Sequence, residues 1–211
     1  MSIDEIADIE SKLRSGLLME NYKYLTDSNG AECRQMVVAY LERTTTVADK
    51  TIVFVNQLTK VALHFQRELP DQLLERLYQF NLEGAEAVKH KPDGFTPEHV
   101  ETMYSHFLEN AGEAAFIRSN RRDAYWLELS YDASLNAGES SNDYEFSTCC
   151  FFNAASSAER LVELSPEPKI WLQRARQCYN SFLASTQLNG HHPMIILAKK
   201  RLRNLRAAVR R

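Results

Sequence analysis

The chain has 211 residues, of which 44% are hydrophobic and 25% are charged, as in folded globular proteins rather than disordered ones. Its 7 glycines and 6 prolines are too few for the turns of a many-stranded sandwich or barrel. The acidic, periodic opening MSIDEIADIESK does not resemble a secretory signal, and no apolar run approaches the length of a membrane span. We therefore expect an intracellular protein, cytoplasmic or nuclear, without a transmembrane segment and with its four cysteines reduced.

Charge is distributed unevenly along the chain. The net charge is −3, yet the last thirteen residues, KKRLRNLRAAVRR, contain seven of the 25 lysines and arginines and no Asp or Glu. The remaining residues hold 18 basic and 28 acidic side chains, a net charge of −10. This asymmetry predicts a separate electrostatic role for the C-terminus.

Residues 1–67 are predicted to form an N-terminal portion of three helices. Ser2 and Glu5 form a capping box at the start of the first helix, and the second follows the turn TDSNGAE. The third segment, RTTTVADKTIVFVNQLTKVALHF, is rich in the β-branched residues that favour strands. Its apolar side chains nevertheless recur every three or four residues from Val47 to Phe65, so we predict a helix.

Residues 70–192 are predicted to form antiparallel pairs of helices. The pairs start near Pro70, Asp123 and Pro168, and this spacing of about 45 to 50 residues is typical of helical-hairpin repeats. A basic helix is expected to follow at residues 193–211. The sequence thus predicts an all-α chain of about nine helical segments.

Capping and turn residues mark the connections between these helices. Thr96 is the expected N-cap of a helix that has Pro97 at its first position. We predict turns at NAGESSND, at SPEP and at QLNGHHP. Residues 1–211 are expected to form a single domain.

Two stretches resemble a known repeat family. LVELSP, residues 161–166, resembles the end of the second helix of a tetratricopeptide repeat, where Ala-Leu-Glu-Leu-x-Pro is common. Trp126, Leu129 and Ser130 are similar to the Trp-x-x-Leu-Gly of the first helix in that family. The resemblance covers roughly residues 122–186. It implies a short α-solenoid whose concave face binds an extended peptide or a partner helix. The alternative is a non-repetitive helical bundle.

Stacking of the hairpins in register would bring arginine and aromatic side chains of equivalent helices into one groove. These residue types dominate binding hot spots. The candidate partner-binding groove comprises Arg121, Arg122, Tyr125, Trp126, Lys169, Trp171, Arg174 and Arg176. In the alternative, both tryptophans belong to the core and the arginines face solvent.

The C-terminal helix combines an apolar stripe, from Ile195 to Val209, with a dense cationic face. Such a helix can contact phosphates, an anionic membrane surface or an acidic protein groove. The candidate contact residues are Lys199, Lys200, Arg201, Arg203, Arg206, Arg210 and Arg211. The alternative is that the stripe docks on the acidic body of the protein itself.

The sequence contains no GxSxG, GxxxxGK[ST], GxGxxG or HExxH motif, so we expect neither catalysis, nor a cofactor, nor a metal. Cys149 and Cys150 lie beside two phenylalanines and are expected to be buried, inert thiols. The favoured function is a non-catalytic adaptor or scaffold that binds a partner protein. The alternative is an accessory protein that binds nucleic acid or a membrane surface through its basic helix. A third possibility is a helical enzyme whose site the sequence does not display.

Overall fold

A computed structural model of the protein describes residue 11 and residues 30–42, 52–64, 69–90 and 94–208. Within these ranges the chain forms eight α-helices and no strand, which confirms the all-α prediction. The helices are α1 (Gly30–Leu41), α2 (Ile52–His64), α3 (Asp71–His90), α4 (Pro97–Arg118), α5 (Ala124–Ser140), α6 (Tyr144–Leu164), α7 (Pro168–Ser185) and α8 (Pro193–Ala208). The helix predicted after Ser2 lies outside the described residues.

The chain divides into two compact units, one within residues 1–114 and one within residues 115–211. The division falls inside α4 rather than in a linker. The single domain expected from the sequence stays a prediction.

The first unit shows why the β-branched segment is a helix. Val55, Leu58, Val61 and Ala62 of α2 are all fully buried. Burying such a side chain stabilises the fold by about 1.5–3 kcal/mol, whereas a β-branched residue costs a helix less than about 0.7 kcal/mol. Burial therefore outweighs strand propensity, and the predicted helix is confirmed over Ile52–His64.

Polar and close contacts also join the helices of the first unit. The Asn110 amide donates to Asn56 Oδ1 at 2.9 Å, which joins α4 to α2 through a buried pair. Where α3 passes α4, a Cβ added at Gly84 would lie 2.7 Å from Cε1 of Phe107. Phe107 is fully buried and cannot move aside, so Gly84 is required for this close approach.

The start of α4 agrees with the predicted capping, whereas α5 is longer than predicted. Thr96 Oγ1 accepts a hydrogen bond from His99 N at 3.2 Å, as predicted for an N-cap before Pro97. The turn predicted at NAGESSND is wrong in its first part, because α5 continues to Ser140. The last turn of α5 packs against α6, with Gly138 buried close to Phe151, and this packing outweighs the poor helix propensity of Asn and Gly.

In the second unit α6 is the central helix and packs along both α5 and α7. Its inward positions are small: Ala154, Ala155 and Ala158 are fully buried. Ser157 Oγ lies 3.0 Å from Ser130 Oγ of α5, a buried hydrogen bond between the two helices. Small side chains allow the helix backbones to approach closely, so α6 forms the rigid middle of this unit.

Candidate functional site

The C-terminal helix is part of the core of the second unit rather than a free tail. Ile195, Ala198, Leu202 and Leu205 are buried, and α8 packs against α7. This is the docked arrangement that was the alternative to a free basic helix. Val209 lies outside the described residues.

One cation of the helix points back into the fold. Arg201 Nη1 donates hydrogen bonds to Ser156 Oγ at 3.0 Å and to the Tyr179 hydroxyl oxygen at 2.7 Å. The same nitrogen lies 3.3 Å from Glu159 Oε2, which also accepts a 2.8 Å hydrogen bond from the Tyr179 hydroxyl. The Arg201 guanidinium lies 5.6 Å from the ring centroid of Phe152. Arg201 thus fixes α8 to both α6 and α7.

The network is partly shielded from solvent. The side chains of Arg201 and Glu159 are each only 26% exposed. Burial raises the pKa of Tyr179 to about 12, although its hydrogen bond with Arg201 opposes the shift. A charge-assisted network at this depth is stronger than a surface ion pair because water screens it less.

The other described cations of α8 point outward. Lys199, Lys200 and Arg203 are exposed. The side chain of Arg206 lies outside the described residues, as do Arg210 and Arg211.

A groove of about 460 Å3 runs between α7 and α8. Its described lining residues are Asn180, Leu183, Lys199, Leu202 and Arg203. Leu202 forms an apolar floor, and the two cations stand along the α8 wall. This groove brings predicted polyanion-contact residues of α8 next to α7, the helix that carries half of the predicted partner-binding groove.

An adjoining depression of about 600 Å3 lies along one face of α7. Its described lining residues are Gln173, Arg176, Gln177, Asn180, Ser181 and Ala184. Because Asn180 lines both hollows, they form one continuous surface, which we call the α7–α8 surface. Its amide residues were not singled out in the sequence, since uncharged polar side chains on an exposed helix face give no distinctive pattern.

The predicted aromatic groove is arranged differently from the expectation. Trp171 is buried and meets Tyr131 of α5 edge to face, with ring centroids 5.2 Å apart. The guanidinium of Arg174 lies 4.5 Å from the Trp171 centroid and 5.4 Å from that of Tyr131. Arg174 therefore covers a core aromatic pair, and Trp171 presents little surface to a partner.

Trp126 is likewise buried, with the guanidinium of Arg118 5.5 Å from its ring. Tyr125 packs against it edge to face at 5.6 Å and is itself 64% exposed. Arg121 and Arg122 are exposed in the turn before α5, where Arg121 has a left-handed backbone with φ of 60°. Partner binding by this set stays a prediction.

The remaining two residues of the predicted groove separate from the tryptophans. Arg176 lies on the α7–α8 surface, and Lys169 is exposed at the start of α7. Arg176 is thereby placed in one continuous surface with Lys199 and Arg203, a grouping that the sequence did not reveal.

The three cysteines of the second unit differ in their exposure. Burial raises the pKa of the Cys178 thiol to about 11, so it stays protonated at neutral pH. Cys150 is buried as expected, but Cys149 is exposed, which corrects the prediction for that residue. Among the described residues, no group of three or more His, Cys, Asp or Glu could hold a metal ion.

Comparisons with protein-family models, with curated proteins and with solved structures found no match for this chain. Among the described residues, no helix is long and apolar enough to cross a membrane.

Proposed function

We propose that this protein is a non-catalytic adaptor that binds a partner protein through its second helical unit. One observation carries the proposal: Arg176, Lys199 and Arg203 all line the α7–α8 surface, and none makes an ion pair with another described residue. Lys199 and Arg203 are exposed beside an apolar floor, and Arg176 is half-buried. Such cations can contribute to an interface, since arginine is enriched where proteins bind one another.

The rigidity of the underlying helices supports this proposal. Arg201 holds α8 against α6 and α7, so the groove walls are fixed before a partner arrives. A preformed site loses less conformational entropy on binding than a flexible one. An adaptor that works by shape benefits from such a surface.

Repeat-like stacking is part of the same proposal. Turns of three residues separate α5 from α6 and α6 from α7, and the Tyr131–Trp171 contact joins α5 directly to α7. This succession resembles stacked tetratricopeptide-like hairpins, which supports the adaptor function by analogy of fold.

The proposal can be tested by comparing the proteins that charge-reversal variants and the wild type capture from cell extract. The surface variant carries Arg176→Glu, Lys199→Glu and Arg203→Glu. The control carries Arg122→Glu, Arg160→Glu and Lys169→Glu, which changes the net charge of the same unit equally at exposed positions. We expect at least one protein to be captured by the wild type and the control but not by the surface variant, as measured by quantitative mass spectrometry.

Two results would assign partner binding to a different surface. Equal captured sets for the two variants would reject the α7–α8 surface as the adaptor site. Loss in the control variant alone would instead support the groove predicted from the sequence around Arg122 and Lys169.

The second candidate function is binding of nucleic acid or an anionic membrane surface. The exposed side chains of Lys199, Lys200 and Arg203 favour it. Binding of duplex DNA and anionic vesicles, measured across a salt series, tests this function. Three phosphate contacts would give a slope of about −2.7 in log K against log salt on duplex DNA. Charge reversal is preferable to truncation at residue 192, because removing α8 would expose its buried contacts with α7.

A further inference from the structure

We infer that the α7–α8 surface binds an extended, acidic peptide segment of the partner protein. This inference rests on the proposed adaptor function. Three features of this surface, namely its charge, its amide side chains and its apolar floor, fit such a segment together.

The charge of the surface is the first feature. Arg176 stands at one end and Lys199 and Arg203 at the other, and the described lining residues include no carboxylate. In contrast, Arg201 on the same helix is neutralised by Glu159. Cations without an internal counter-ion are complementary to carboxylates of a bound segment, and Arg176 and Arg203 can each hold a carboxylate through two parallel hydrogen bonds.

The second feature is a row of side-chain amides along α7. Gln173, Gln177 and Asn180 lie four and three positions apart, so they stand above one another on one helix face. Each amide can donate and accept hydrogen bonds at once, as the backbone of an extended peptide requires. The row spans about 10 Å along the helix axis, the length of about three residues of extended chain.

The third feature is the apolar floor of the groove. Leu202 is buried and Leu183 half-buried where the groove lies between the two cations and Asn180. Successive side chains of an extended segment point to opposite sides, so an apolar residue next to an acidic one can contact this floor. We therefore infer a segment in which acidic residues are interspersed with apolar ones.

Nucleic acid fits the same surface less well. The described lining of both hollows contains no aromatic side chain on which a base could stack. The amides along α7 could donate to phosphates, but they also offer acceptor oxygens, which a peptide N–H can use and a phosphate cannot. The peptide is thus the occupant that accounts for the cations, the amides and the apolar floor together.

Fluorescence anisotropy with the full-length protein tests this inference. The probe is a labelled ten-residue peptide that alternates Glu or Asp with Leu or Ser, and the matched probe replaces Glu and Asp by Gln and Asn. Labelled single-stranded dT10 serves as a polyanion without a peptide backbone. We expect the acidic peptide to bind at least tenfold more tightly than its neutral counterpart.

Two variants separate the amides from the charges. Gln177→Ala with Asn180→Ala should weaken binding of the acidic peptide about tenfold, because about two hydrogen bonds to the peptide backbone are lost, and should leave binding of dT10 unchanged. Lys199→Glu with Arg203→Glu should abolish binding of both probes. Arg160→Glu, at an exposed position elsewhere on the unit, should alter neither.

The outcomes distinguish this inference from the proposed function. Equal affinity for acidic and neutral peptides, or an unchanged affinity of the amide variant, would overturn the peptide inference. Tighter binding of dT10 than of the acidic peptide would assign the surface to nucleic acid. If no peptide binds but the charge-reversal variant still loses a protein from extract, the adaptor function stands and only the acidic-peptide chemistry falls.

Discussion

On one side of α8, Arg201 lies among Ser156, Glu159 and Tyr179, while on the other Lys199 and Arg203 extend into an open groove. The inward cation has lost much of its hydration and is compensated by hydrogen bonds and a carboxylate. The outward cations keep their hydration and have no described counter-ion. One helix thus carries a structural charge and a set of charges available to a partner.

This difference shows that residues two positions apart in a basic run can have unrelated roles. The inward side determines whether α8 stays docked, and the outward side determines what the docked helix presents. Substitutions on the inward side should therefore change the unfolding free energy, and substitutions on the outward side should change partner binding. Variants that change each side separately test this division.

The largest stability effect is expected for Arg201→Met. This change leaves Glu159 as a half-buried carboxylate without its cation, which costs about 2–3 kcal/mol of unfolding free energy. Arg203→Met, at an exposed position, should change the unfolding free energy by less than about 0.5 kcal/mol. Urea unfolding followed by circular dichroism measures both. Similar losses in the two variants would contradict the division between the sides of α8.

A smaller effect is expected from alkaline pH. The pKa of Tyr179 rises from its ordinary value of 10.0 to about 12 in the fold, so the unfolded chain loses this proton first. The stability from the protonated hydroxyl is complete below pH 10 and is lost as pH rises from 10 to 12. The rise of the pKa from 10.0 to about 12 corresponds to about 2.7 kcal/mol at most, so we expect a loss of about 2 kcal/mol by pH 12, measured as unfolding free energy against pH.

Tyr179→Phe is the matched variant for the pH experiment. It removes the titrating hydroxyl but keeps the ring beside Phe152, whose centroid lies 5.7 Å away. The variant should lose about 1 kcal/mol at neutral pH and should show a shallower decline above pH 10. Cys178, whose pKa rises from 9.0 to about 11, is present in both proteins, so its contribution cancels in the difference. Parallel curves for the two proteins would exclude Tyr179 as the alkaline-sensitive group.

Local signals allowed much of the fold to be predicted from the sequence. The Thr96-Pro97 cap and the apolar spacing of Ile52–His64 act within a few residues, so they can be recognised without the partners they pack against. The length of α5 could not be predicted in this way. The helical state of Gly138 depends on its contact with Phe151 of the next helix.

The candidate site was less predictable because it depends on pairings between distant residues. Arg201 meets Ser156, which is 45 positions away, and nothing in KKRLRNLRAAVRR distinguishes it from its neighbours. Conversely, Trp126 and Trp171 had the composition of hot-spot residues but are buried in the fold. Arg176 comes to share one continuous surface with Lys199 and Arg203 because α8 packs on α7, which no local pattern encodes.

The smallest effect is expected for Ser156→Ala, although Ser156 accepts a hydrogen bond from Arg201. The Ser156 hydroxyl also donates to the Phe152 carbonyl at 2.9 Å within its own helix, and Arg201 keeps Glu159 and Tyr179 as partners. Alanine has a higher helix propensity than serine, which offsets part of the loss. The unfolding free energy should change by less than about 0.5 kcal/mol.

The neighbouring Ser157→Ala is the control for that experiment, and the two serines should differ. Ser157 is fully buried, and its hydroxyl joins α6 to Ser130 of α5 at 3.0 Å, where water cannot substitute for it. Its loss should cost about 1 kcal/mol or more in the same urea titration. If Ser156→Ala were instead the more costly change, the docking of α8 through Arg201 would depend on Ser156 rather than on Glu159 and Tyr179. The charge–tyrosine network would then not be the main determinant of docking.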